Sequence, residues 1–309
     1  MFDMRHLTSL SNLTSADVEE ILRLSTELKA RWKQGDRPAV LQGQVLTQIF
    51  EKPSLRTRLS FEAAMNHLGG SGIFLGRKEA GLEGRESQAD VARVIGGYSD
   101  VIVLRTFSQQ LIEDFATYSG KPVVNGLSDD SHPCQALTDA FTIQEAVGRT
   151  RGVKLAYVGD GNNVAVSLAE VCAHLGMAFA VGAPEGYELK PEFVKGLKKA
   201  FPKLEIEQYV DPLAAVRGAD VVYTDVWASM GQEGEKESRS KTFADYQVNA
   251  RLMKSAGSKA KFMHCLPARR GLEVTDDVID SPQSIAFPQA ENRMHVAKGV
   301  FLWVLNKSL

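Results

Sequence analysis

The stretch EKPSLRTRLSFE, residues 51–62, places two arginines and three hydroxyl groups directly after the apolar run VLTQIF. The first turn of a helix exposes unpaired backbone N–H groups and the positive end of the helix dipole, which favours acidic residues there. Arginine adds positive charge where the backbone is already positive, so this composition does not help a helix to form. It is typical of a helix start that binds an anion.

The two arginines of this stretch are predicted to have different roles. Because successive helical residues are about 100° apart, Arg56 and Arg58 point about 200° apart and do not readily face one small ligand. Ser54 and Thr57 are three residues apart and share a face of the helix. We therefore predict that Ser54, Thr57, Arg56 and backbone N–H groups hold a phosphate-sized anion, while Arg58 forms a structural salt bridge.

Hydrogen-bond donors also follow two other apolar runs. Arg105 stands directly after VIVL, and the segment GLSDDSHPCQ, which follows PVVN, contains His132 and Gln135 three residues apart. Each of these residues, taken alone, is more often structural. A histidine at such a position can polarise a carbonyl or donate to a phosphate. Three strand ends that offer only donors together indicate a site for a small phosphorylated, carbonyl-bearing group.

The turn YVGDGNNVAVSL in the second half is similar to a dinucleotide-binding fingerprint. Gly159 and Gly161 fit its first two glycines, but Val164 takes the place of the third. Asn163 is one of two asparagines where the backbone would have to approach a pyrophosphate. An NAD-dependent oxidoreductase would also need an acid at the end of the next strand, and Glu185 fits that position poorly. We interpret this turn as one that binds no dinucleotide.

A polar loop follows the run ADVVYT. It begins with the segment DVWASMG, which contains Asp225 and Ser229, and continues as QEGEKESRSK. An acid, a hydroxyl and a glycine before a long charged stretch suit a mobile loop that binds a cationic group. With Asn163, these residues offer a site for a zwitterion.

His264 and Cys265 follow the run KAKFM, and His132 and Cys134 lie close together in the first half. These four residues do not have the spacing of zinc ligands, and the deaminase pattern P-C-x-x-C is absent after Pro133. We predict no metal site and no cofactor.

Strand and helix patterns alternate along the chain, and they must position these residues. Strands are predicted at VLTQIF, GIFL, VIVL, PVVN, VKLAYVG, AFAVGA, LEIEQY, ADVVYT and KAKFMHC, and helices near residues 55–68, 88–98, 109–118, 136–147, 163–175, 191–200, 243–255 and 290–306. Several strands are continuous apolar runs, as expected for parallel sheets covered on both faces. The predicted fold is α/β with two domains, 1–135 and 136–289, each a mostly parallel sheet flanked by helices. Ligands bind at the carboxyl ends of such strands, and we expect the active site in the cleft between the domains.

Composition excludes several functional classes. The 309 residues are 44% hydrophobic and 24% charged, with a formal net charge of -2, so no global basic field points to nucleic acid or to a membrane. No apolar run approaches the roughly 20 residues of a membrane span. Three scattered cysteines and an N-terminus without a signal-peptide pattern predict a cytoplasmic protein.

Four motifs, in this order and spacing, resemble those of the carbamoyltransferases. They are S-x-R-T-R at residues 54–58, H-P-x-Q at 132–135, D-x-W-x-S-M-G at 225–231 and H-C-L-P at 264–267. The first two are shared with the aspartate-specific enzymes, and the last two are typical of the ornithine carbamoyltransferase family. With AENRMH near the end, the resemblance covers essentially the whole chain.

The resemblance implies an activity and an assembly. The enzyme would transfer the carbamoyl group of carbamoyl phosphate to the δ-amine of L-ornithine, giving L-citrulline and phosphate in arginine metabolism, with no cofactor. Residues 1–135 would bind carbamoyl phosphate, with a C-terminal helix from about 290 to 309 returning to them, and residues 136–289 would bind ornithine. The chain would form homotrimers, and whether the trimers stack into higher multiples is left open.

The resemblance also assigns residues to each substrate. Carbamoyl phosphate would be held by Ser54, Leu55, Arg56, Thr57, Arg105, His132, Gln135 and Arg293. Ornithine would be held by Asn163, Asp225, Ser229, Met230, Cys265 and Leu266. Arg56, Arg105, His132 and Cys265 would be the catalytic residues.

Two departures from the family pattern stand out. Leu55 replaces the usual threonine, and only its backbone N–H is needed. Gly81 stands in the loop 77–87 where the family brings in a residue of the neighbouring subunit, so that contact is left unassigned.

A sister enzyme acting on putrescine or an N-acylated ornithine is the main alternative, but Asp225 and Ser229 suit an unblocked amino-acid head. The direction of arginine metabolism, synthesis or breakdown, is left open.

Overall fold

The predicted alternation of strands and helices is present in the computed structural model, which describes residues 4–228 and 233–309. The strands are β1 (Val45–Phe50), β2 (Ser71–Gly76), β3 (Val101–Arg105), β4 (Val123–Leu127), β5 (Lys154–Val158), β6 (Ala178–Gly182), β7 (Ile206–Tyr209), β8 (Val221–Thr224) and β9 (Lys261–His264). The helices are α1 (Ser15–Lys33), α2 (Leu55–His67), α3 (Gln88–Tyr98), α4 (Gln109–Tyr118), α5 (Pro133–Val147), α6 (Asn163–Leu175), α7 (Pro191–Ala200), α8 (Pro212–Val216), α9 (Lys236–Thr242), α10 (Ala250–Ala256), α11 (Asp276–Ile279) and α12 (Ala286–Val304). The predicted α/β fold class is confirmed.

The chain divides into two compact units. The first comprises Met1–Leu137 with Glu291–Leu309, and the second comprises Thr138–Ala290. The assignment of one substrate to each unit stays a prediction. No helix in the described part of the chain has the length and apolar character needed to cross a bilayer.

The first unit is built on a four-stranded sheet in the order β2-β1-β3-β4, and all its strand pairs are parallel. The central strand β3 is buried along its whole length, and β1 is buried from its second residue onward. Full burial explains the continuous apolar runs of these two strands. Because the strands are parallel, the carboxyl ends of β1, β3 and β4, which precede the predicted anion-binding residues, meet at one edge of this sheet.

The second unit contains a five-stranded parallel sheet in the order β7-β6-β5-β8-β9. The strand order changes direction at β5, with β6 on one side and β8 on the other. In open α/β sheets such a switch point is where ligands bind, outside the carboxyl ends of the strands. The turn that begins at Gly159 follows β5, Asp225 follows β8 and Cys265 follows β9.

The single helix predicted near residues 243–255 is wrong. A short 3-10 turn spans Ala244–Tyr246, and α10 begins only at Ala250. The N–H of Val248 donates to the carbonyl of Glu273 at 2.9 Å, so this residue pairs with another segment instead of continuing a helix. The Asn249 side chain then accepts from the Leu252 N–H at 3.1 Å and starts the new helix.

Glu170 of α6 is a buried carboxyl group outside the predicted sites. Its residue is 5% exposed, and one of its oxygens has no hydrogen-bond partner among the described residues. Burial raises the pKa of Glu170 from 4.5 to about 7 because the charged form is poorly solvated there. The folded state therefore holds the proton more tightly than the unfolded state does.

We expect Glu170→Gln to stabilise the protein above pH 7 and to leave its stability unchanged below pH 4. The wild-type protein loses stability as the pH rises from 4.5 to about 7, because this carboxyl must ionise in a buried place. The full pKa difference corresponds to about 3 kcal/mol. Urea unfolding at both pH values measures the effect, with the exposed Glu19→Gln as a control. An equal effect of Glu170→Gln at both pH values would contradict the explanation.

Candidate active site

The start of α2 has the geometry predicted for an anion-binding helix start. Ser54 caps the helix, and its side-chain oxygen accepts from the backbone N–H of Thr57 at 3.2 Å. No acidic residue lies in the first turn. The side chain of Leu55 is exposed, which agrees with a role for its backbone N–H alone. The N-terminal end of this 13-residue helix thus carries the positive end of the helix dipole without a carboxylate to balance it.

Buried cationic side chains of the first unit converge on the Thr57 hydroxyl. Arg105 Nη1 lies 3.3 Å and Arg293 Nη2 lies 2.9 Å from Thr57 Oγ1. A second nitrogen of Arg293 donates to the side-chain oxygen of Gln135. These four residues are each less than 8% exposed. We call Ser54, Thr57, Arg105, His132, Gln135 and Arg293 the Thr57 cluster.

His132 lies in this positive environment as a neutral imidazole. The residue is 5% exposed, and burial, with the nearby charges of Arg293 and Arg105, holds its pKa well below the usual 6.5. It therefore carries no charge near pH 7 and can donate one N–H to an incoming ligand. A neutral donor close to two guanidinium groups suits a polarised carbonyl oxygen.

Arg58 has the kind of partner that was predicted for it, whereas the anion-binding role of Arg56 stays a prediction. Arg58 Nε lies 2.9 Å from Glu62 Oε1, and its guanidinium carbon lies 3.9 Å from the centre of the Phe74 ring. The predicted structural salt bridge of Arg58 is confirmed. Arg56 is half-buried in the first turn of α2, on a different side of the helix.

Sequence reasoning missed Lys52, two residues before Ser54. This lysine is 4% exposed, pairs with the carboxylate of Asp129 and lies 4.2 Å from the centre of the Phe107 ring. Asp129 follows β4 and Phe107 follows β3, so Lys52 ties together the loops that follow three strands. The only sequence feature that indicated a role for Lys52 was its position beside the anion-binding motif.

In the second unit, Asp225 is a buried carboxylate with three donors. It is 7% exposed, and its Oδ1 accepts from the Val226 N–H at 2.8 Å and from the Cys265 thiol at 3.0 Å. Its Oδ2 accepts from Asn162 Nδ2 at 3.3 Å. The structure therefore brings two of the predicted residues, Asp225 and Cys265, into direct contact. Asn162, which had no predicted role, is the asparagine that donates a hydrogen bond to Asp225.

Asn163 is the first residue of α6, directly after Asn162. The Asn162 oxygen accepts from the N–H groups of Val164 and Ala165 and so caps this helix. The Asn162 side chain is therefore held by the first N–H groups of α6 and by Asp225. The role of its neighbour Asn163 toward a ligand stays a prediction.

In the turn after β5, the need for a glycine at position 161 has a cause in the local packing. A Cβ atom on Gly161 would lie 2.6 Å from the carbonyl carbon of Glu188, and the Gly161 N–H donates to the carbonyl of Tyr187 at 2.7 Å. Glycine is needed here because another segment of the same unit approaches closely. The resemblance to a dinucleotide fingerprint is explained without a dinucleotide.

The segment His264–Pro267 is held in an uncommon backbone conformation. Leu266 has a φ of 57°, in the left-handed region, and its N–H donates to His264 Nδ1 at 2.8 Å. The other ring nitrogen of His264 lies 3.2 Å from Glu273 Oε1, and both residues are fully buried. His264 therefore fixes the backbone on which Cys265 and Leu266 stand.

The Cys265 thiol is a poor base. Burial, together with the charge of Asp225 and the hydrogen bond to it, raises the pKa of this thiol well above its usual value. The thiol thus stays protonated and donates to Asp225.

Asp225, His264 and Cys265 offer potential metal-ligand atoms within 4.8 Å of one another. Both nitrogens of His264 are engaged, one with the Leu266 N–H and one with Glu273. The thiol proton is engaged with Asp225. This chemistry fits a hydrogen-bonded site better than a resident metal.

Two predicted ornithine-binding residues, Ser229 and Met230, lie outside the described residues. Arg239, which sequence reasoning missed, contacts the chain on both sides of them. Its Nη1 donates to the Trp227 carbonyl at 3.0 Å and to Asp160 at 2.6 Å, and its Nε donates to Glu235 at 2.9 Å. An arginine in a charged stretch gave no signal of this role.

Comparison with known proteins places both units in one family. The family model for the carbamoyl-P binding domain of aspartate/ornithine carbamoyltransferase matches residues 5–145, and that for its Asp/Orn binding domain matches residues 151–304. The ornithine carbamoyltransferase of Thermococcus kodakarensis is 49% identical over 303 residues, which cover 97% of this chain and 96% of the relative. The anabolic ornithine carbamoyltransferase of Pyrococcus furiosus is 48% identical, with coverage of 97% and 96%. A solved structure of ornithine carbamoyltransferase from Pyrococcus furiosus superposes with a TM-score of 0.95, at 48% identity, over 99% of this chain and 98% of that one.

Proposed function

The chain belongs to the aspartate/ornithine carbamoyltransferase family, and we propose that it transfers the carbamoyl group of carbamoyl phosphate to the δ-amine of L-ornithine, giving L-citrulline and phosphate. The observation that carries this proposal is the identity of 48–49% to ornithine carbamoyltransferases over 97% of the chain. The Thr57 cluster and the contact between Asp225 and Cys265 supply groups suited to the two substrates. One relative is anabolic, which supports a role in arginine biosynthesis.

Carbamoyl phosphate binds at the Thr57 cluster. The helix start after Ser54, including the Leu55 N–H, and the guanidinium of Arg56 hold the phosphate. Arg105, Thr57 and neutral His132 direct donors at the carbonyl oxygen. Gln135 and Arg293, which already bond to each other, hold the carbamoyl group. The two buried guanidinium groups of the cluster favour a dianionic ligand.

Ornithine binds in the second unit. Asp225 pairs with the α-ammonium. Its carboxylate is buried, and Asn162 and Cys265, which donate to one oxygen each, hold it in place. Asn163 and, in the segment outside the described residues, Ser229 and Met230 complete the contacts with the amino-acid head. Cys265 and the carbonyl of Leu266 lie by the reacting amine.

The transfer needs no covalent enzyme intermediate. The lone pair of the neutral δ-nitrogen attacks the carbonyl carbon, and negative charge develops on the carbonyl oxygen. The bond from carbon to the bridging oxygen then breaks, phosphate takes that electron pair, and the nitrogen releases its proton to solvent. Each fixed donor aimed at the developing charge contributes about 3–4 kcal/mol. Alignment of the two substrates contributes a further ~7–11 kcal/mol.

The pH dependence of the rate follows from the protonation state of the δ-amine of ornithine. The δ-amine titrates near ~10.4, like lysine, so only about one molecule in 10³–10⁴ is neutral at pH 7. Cys265 is a protonated thiol, and Asp225 is occupied by the α-ammonium, so the site selects the neutral amine. His132 is uncharged in this range and adds no titration of its own.

We therefore expect kcat/KM for ornithine to rise close to tenfold per unit between about pH 6 and 7 and to keep rising beyond pH 8. Cys265→Ser lowers the activity but keeps the slope. Initial rates at subsaturating ornithine measure this dependence. A profile that is already flat at pH 7, or a slope lost in Cys265→Ser, would show that a protein group takes the proton.

The function is tested by incubation with carbamoyl phosphate and, separately, ornithine, putrescine, N-acetylornithine and aspartate. We expect carbamoylated product chiefly from ornithine. A preference for putrescine or N-acetylornithine would identify a sister carbamoyltransferase instead. Product from none of them, in a protein with intact secondary structure, would reject the family activity.

We also propose a cytoplasmic homotrimer, with higher multiples left open. Leu55 and Leu59 of α2 are 69% and 54% exposed, and Ile73 of the edge strand β2 is 44% exposed. Apolar side chains at the surface of the first unit favour an interface with a second copy. In the proposed trimer, the loop 77–87 completes the site of the neighbouring subunit.

Mixing a variant that lacks residues 77–87 with Arg56→Ala should restore part of the activity that each lacks alone. Hybrid trimers then contain a site that has both an intact Arg56 and an intact loop. Native mass spectrometry shows whether hybrids form. Hybrids without any recovered activity would contradict the shared site.

A further inference from the structure

Asn125 is a buried polar side chain of β4 to which sequence reasoning gave no role. Asparagine is uncommon inside strands, and its amide must find hydrogen-bond partners away from water. Asn125 is 0% exposed, and its backbone N–H donates to the carbonyl of Leu7 at 2.8 Å. The nearest acceptors for its two amide protons are the Thr8 carbonyl at 2.9 Å and the Ser131 hydroxyl oxygen at 3.0 Å. The side chain therefore joins residues 7 and 8 to the loop that follows β4.

The loop from Ser128 to Ser131 pairs its own backbone. The Ser128 N–H donates to the Ser131 carbonyl at 2.9 Å, and the Ser131 N–H donates to Ser128 Oγ at 3.1 Å. The Ser128 hydroxyl in turn donates to Gln109 Oε1 at 2.7 Å. The hydrogen bond from Asn125 to the Ser131 side chain is therefore not needed to satisfy a backbone group of the loop. It fixes the orientation of Ser131 instead.

His132 is tied to Asn125 through residues on both of its sides. Ser131 lies directly before it and accepts from the Asn125 amide. On the other side, the Cys134 thiol donates to the Asn125 carbonyl at 3.4 Å. The second contact uses the backbone of β4 and would survive a change of side chain at position 125. The first contact depends on the Asn125 amide and on the Ser131 hydroxyl.

His132 also closes the first turn of α5, which reaches the Thr57 cluster. Its carbonyl accepts from the N–H groups of Gln135 and Ala136 at 3.1 and 3.2 Å. The side-chain oxygen of Gln135 accepts from Arg293 of the cluster. All these residues belong to the first unit. A shift of the backbone before His132 would weaken the two hydrogen bonds to its carbonyl and move its ring relative to the cluster.

We propose that Asn125 and Ser131 are positioning residues for His132: the hydrogen bond between their side chains fixes the backbone before the histidine, so that its ring donates to the carbonyl oxygen of carbamoyl phosphate. A donor stabilises developing charge best when its direction is fixed before the reaction. The catalytic part of this inference rests on the proposed function. The contact itself exists in the protein without substrates and can be measured there.

The test uses Ser131→Ala and Asn125→Leu in the full-length protein, with Thr47→Val as the matched control. Thr47 of β1 is 3% exposed, and its hydroxyl lies 2.6 Å from Ser99 Oγ, so the control also removes one buried hydrogen bond of the first unit. Hydrogen exchange of the two N–H groups that close the first turn of α5 is recorded without substrates. Values of kcat and of KM for both substrates are then measured for each variant.

We expect these two N–H groups to exchange about tenfold faster in Ser131→Ala and Asn125→Leu, as for the loss of one hydrogen bond, and at an unchanged rate in Thr47→Val. For the same reason we expect kcat to fall about tenfold in both variants, while the KM for ornithine changes less than about twofold. Thr47→Val should leave kcat unchanged.

A His132→Ala background distinguishes positioning from a general structural role. If Ser131 acts through the ring of His132, adding Ser131→Ala should change the residual activity of His132→Ala by less than about twofold, instead of the roughly tenfold loss expected in the wild type. The residual activity is measured at a raised enzyme concentration. A structural role would lower kcat to the same extent in both backgrounds.

Unchanged exchange in Ser131→Ala would overturn the proposal, whatever the kinetics show. Faster exchange with an unchanged kcat would also overturn it, as would an equal loss of kcat with and without the His132 ring. If Asn125→Leu does not fold, Ser131→Ala, which removes a single oxygen atom, decides by the same outcomes. Failure of the proposed function is recognised separately, since the wild-type protein would then form no product from ornithine while the exchange comparison still reports the contact.

Discussion

Replacing Arg56 with alanine will lower kcat/KM for carbamoyl phosphate by about 10²–10³-fold, whereas replacing Arg58 will leave it within a few-fold of the wild type. Arg56 stands in the first turn of α2, beside the Ser54 cap, where it meets charge that grows on the phosphate as the bond to carbon breaks. Arg58 is engaged by Glu62 and by the ring of Phe74. Initial rates at saturating ornithine measure the difference.

The two arginine variants serve as controls for each other. They remove the same side chain two residues apart on one helix, so general effects on α2 are shared. Arg58→Ala loses an exposed ion pair worth less than about 1 kcal/mol and a cation–π contact, so its effect should appear in the melting temperature. Equal losses of activity in two stably folded variants would contradict the assignment of Arg56 to the phosphate.

Asp225→Asn will raise the KM for ornithine far more than the KM for carbamoyl phosphate. Asparagine has the same shape but no charge, so the α-ammonium loses its partner in a buried place. Loss of one partner of a buried, hydrogen-bonded charge pair costs about 2–5 kcal/mol, or roughly 30-fold to several thousand-fold in affinity. The two KM values, each measured at a saturating level of the other substrate, show the difference.

Putrescine provides the internal control for Asp225, because it has the reacting amine but no α-amino-acid head. We expect putrescine to be carbamoylated slowly and this rate to be little affected by Asp225→Asn, so the preference for ornithine over putrescine should fall. A parallel loss of activity toward both amines would mean that Asp225 acts at the reacting nitrogen, and its assignment to the α-ammonium would be wrong.

The α/β fold was predictable because burial of a strand on both faces determines its amino-acid pattern. The runs VLTQIF and VIVL became β1 and β3 because strands covered by helices on both sides need apolar residues at successive positions. The break between Tyr246 and α10 could not be predicted in this way. It depends on the pairing of Val248 with Val274, a contact between segments that are distant in sequence.

The site was predictable where one helix carries the geometry. The spacing of Ser54 and Thr57, and the turning away of Arg58, follow from 3.6 residues per turn alone. The role of Arg293 was predicted only from the family resemblance. No local sequence pattern indicates that a residue near the C-terminus contacts Thr57.

The residues that sequence reasoning missed are those that act through another side chain. Lys52 contacts Asp129 and Arg239 contacts Asp160, at separations of 77 and 79 residues in the chain. Neither belongs to a motif with a fixed spacing of its own. Such contacts depend on the order of the strands in the sheet, which a single sequence does not reveal.

The central claim is that the δ-nitrogen of ornithine takes the carbamoyl carbon, and one isotope measurement tests it directly. The protein is incubated with carbamoyl phosphate labelled at carbon and with ornithine labelled only at the δ-nitrogen, and the product is observed by carbon NMR. We predict a single product whose labelled carbon is split by the labelled nitrogen, as in L-citrulline. An unsplit carbon signal from a product carbamoylated at the α-nitrogen, or label released only as bicarbonate, would contradict the account.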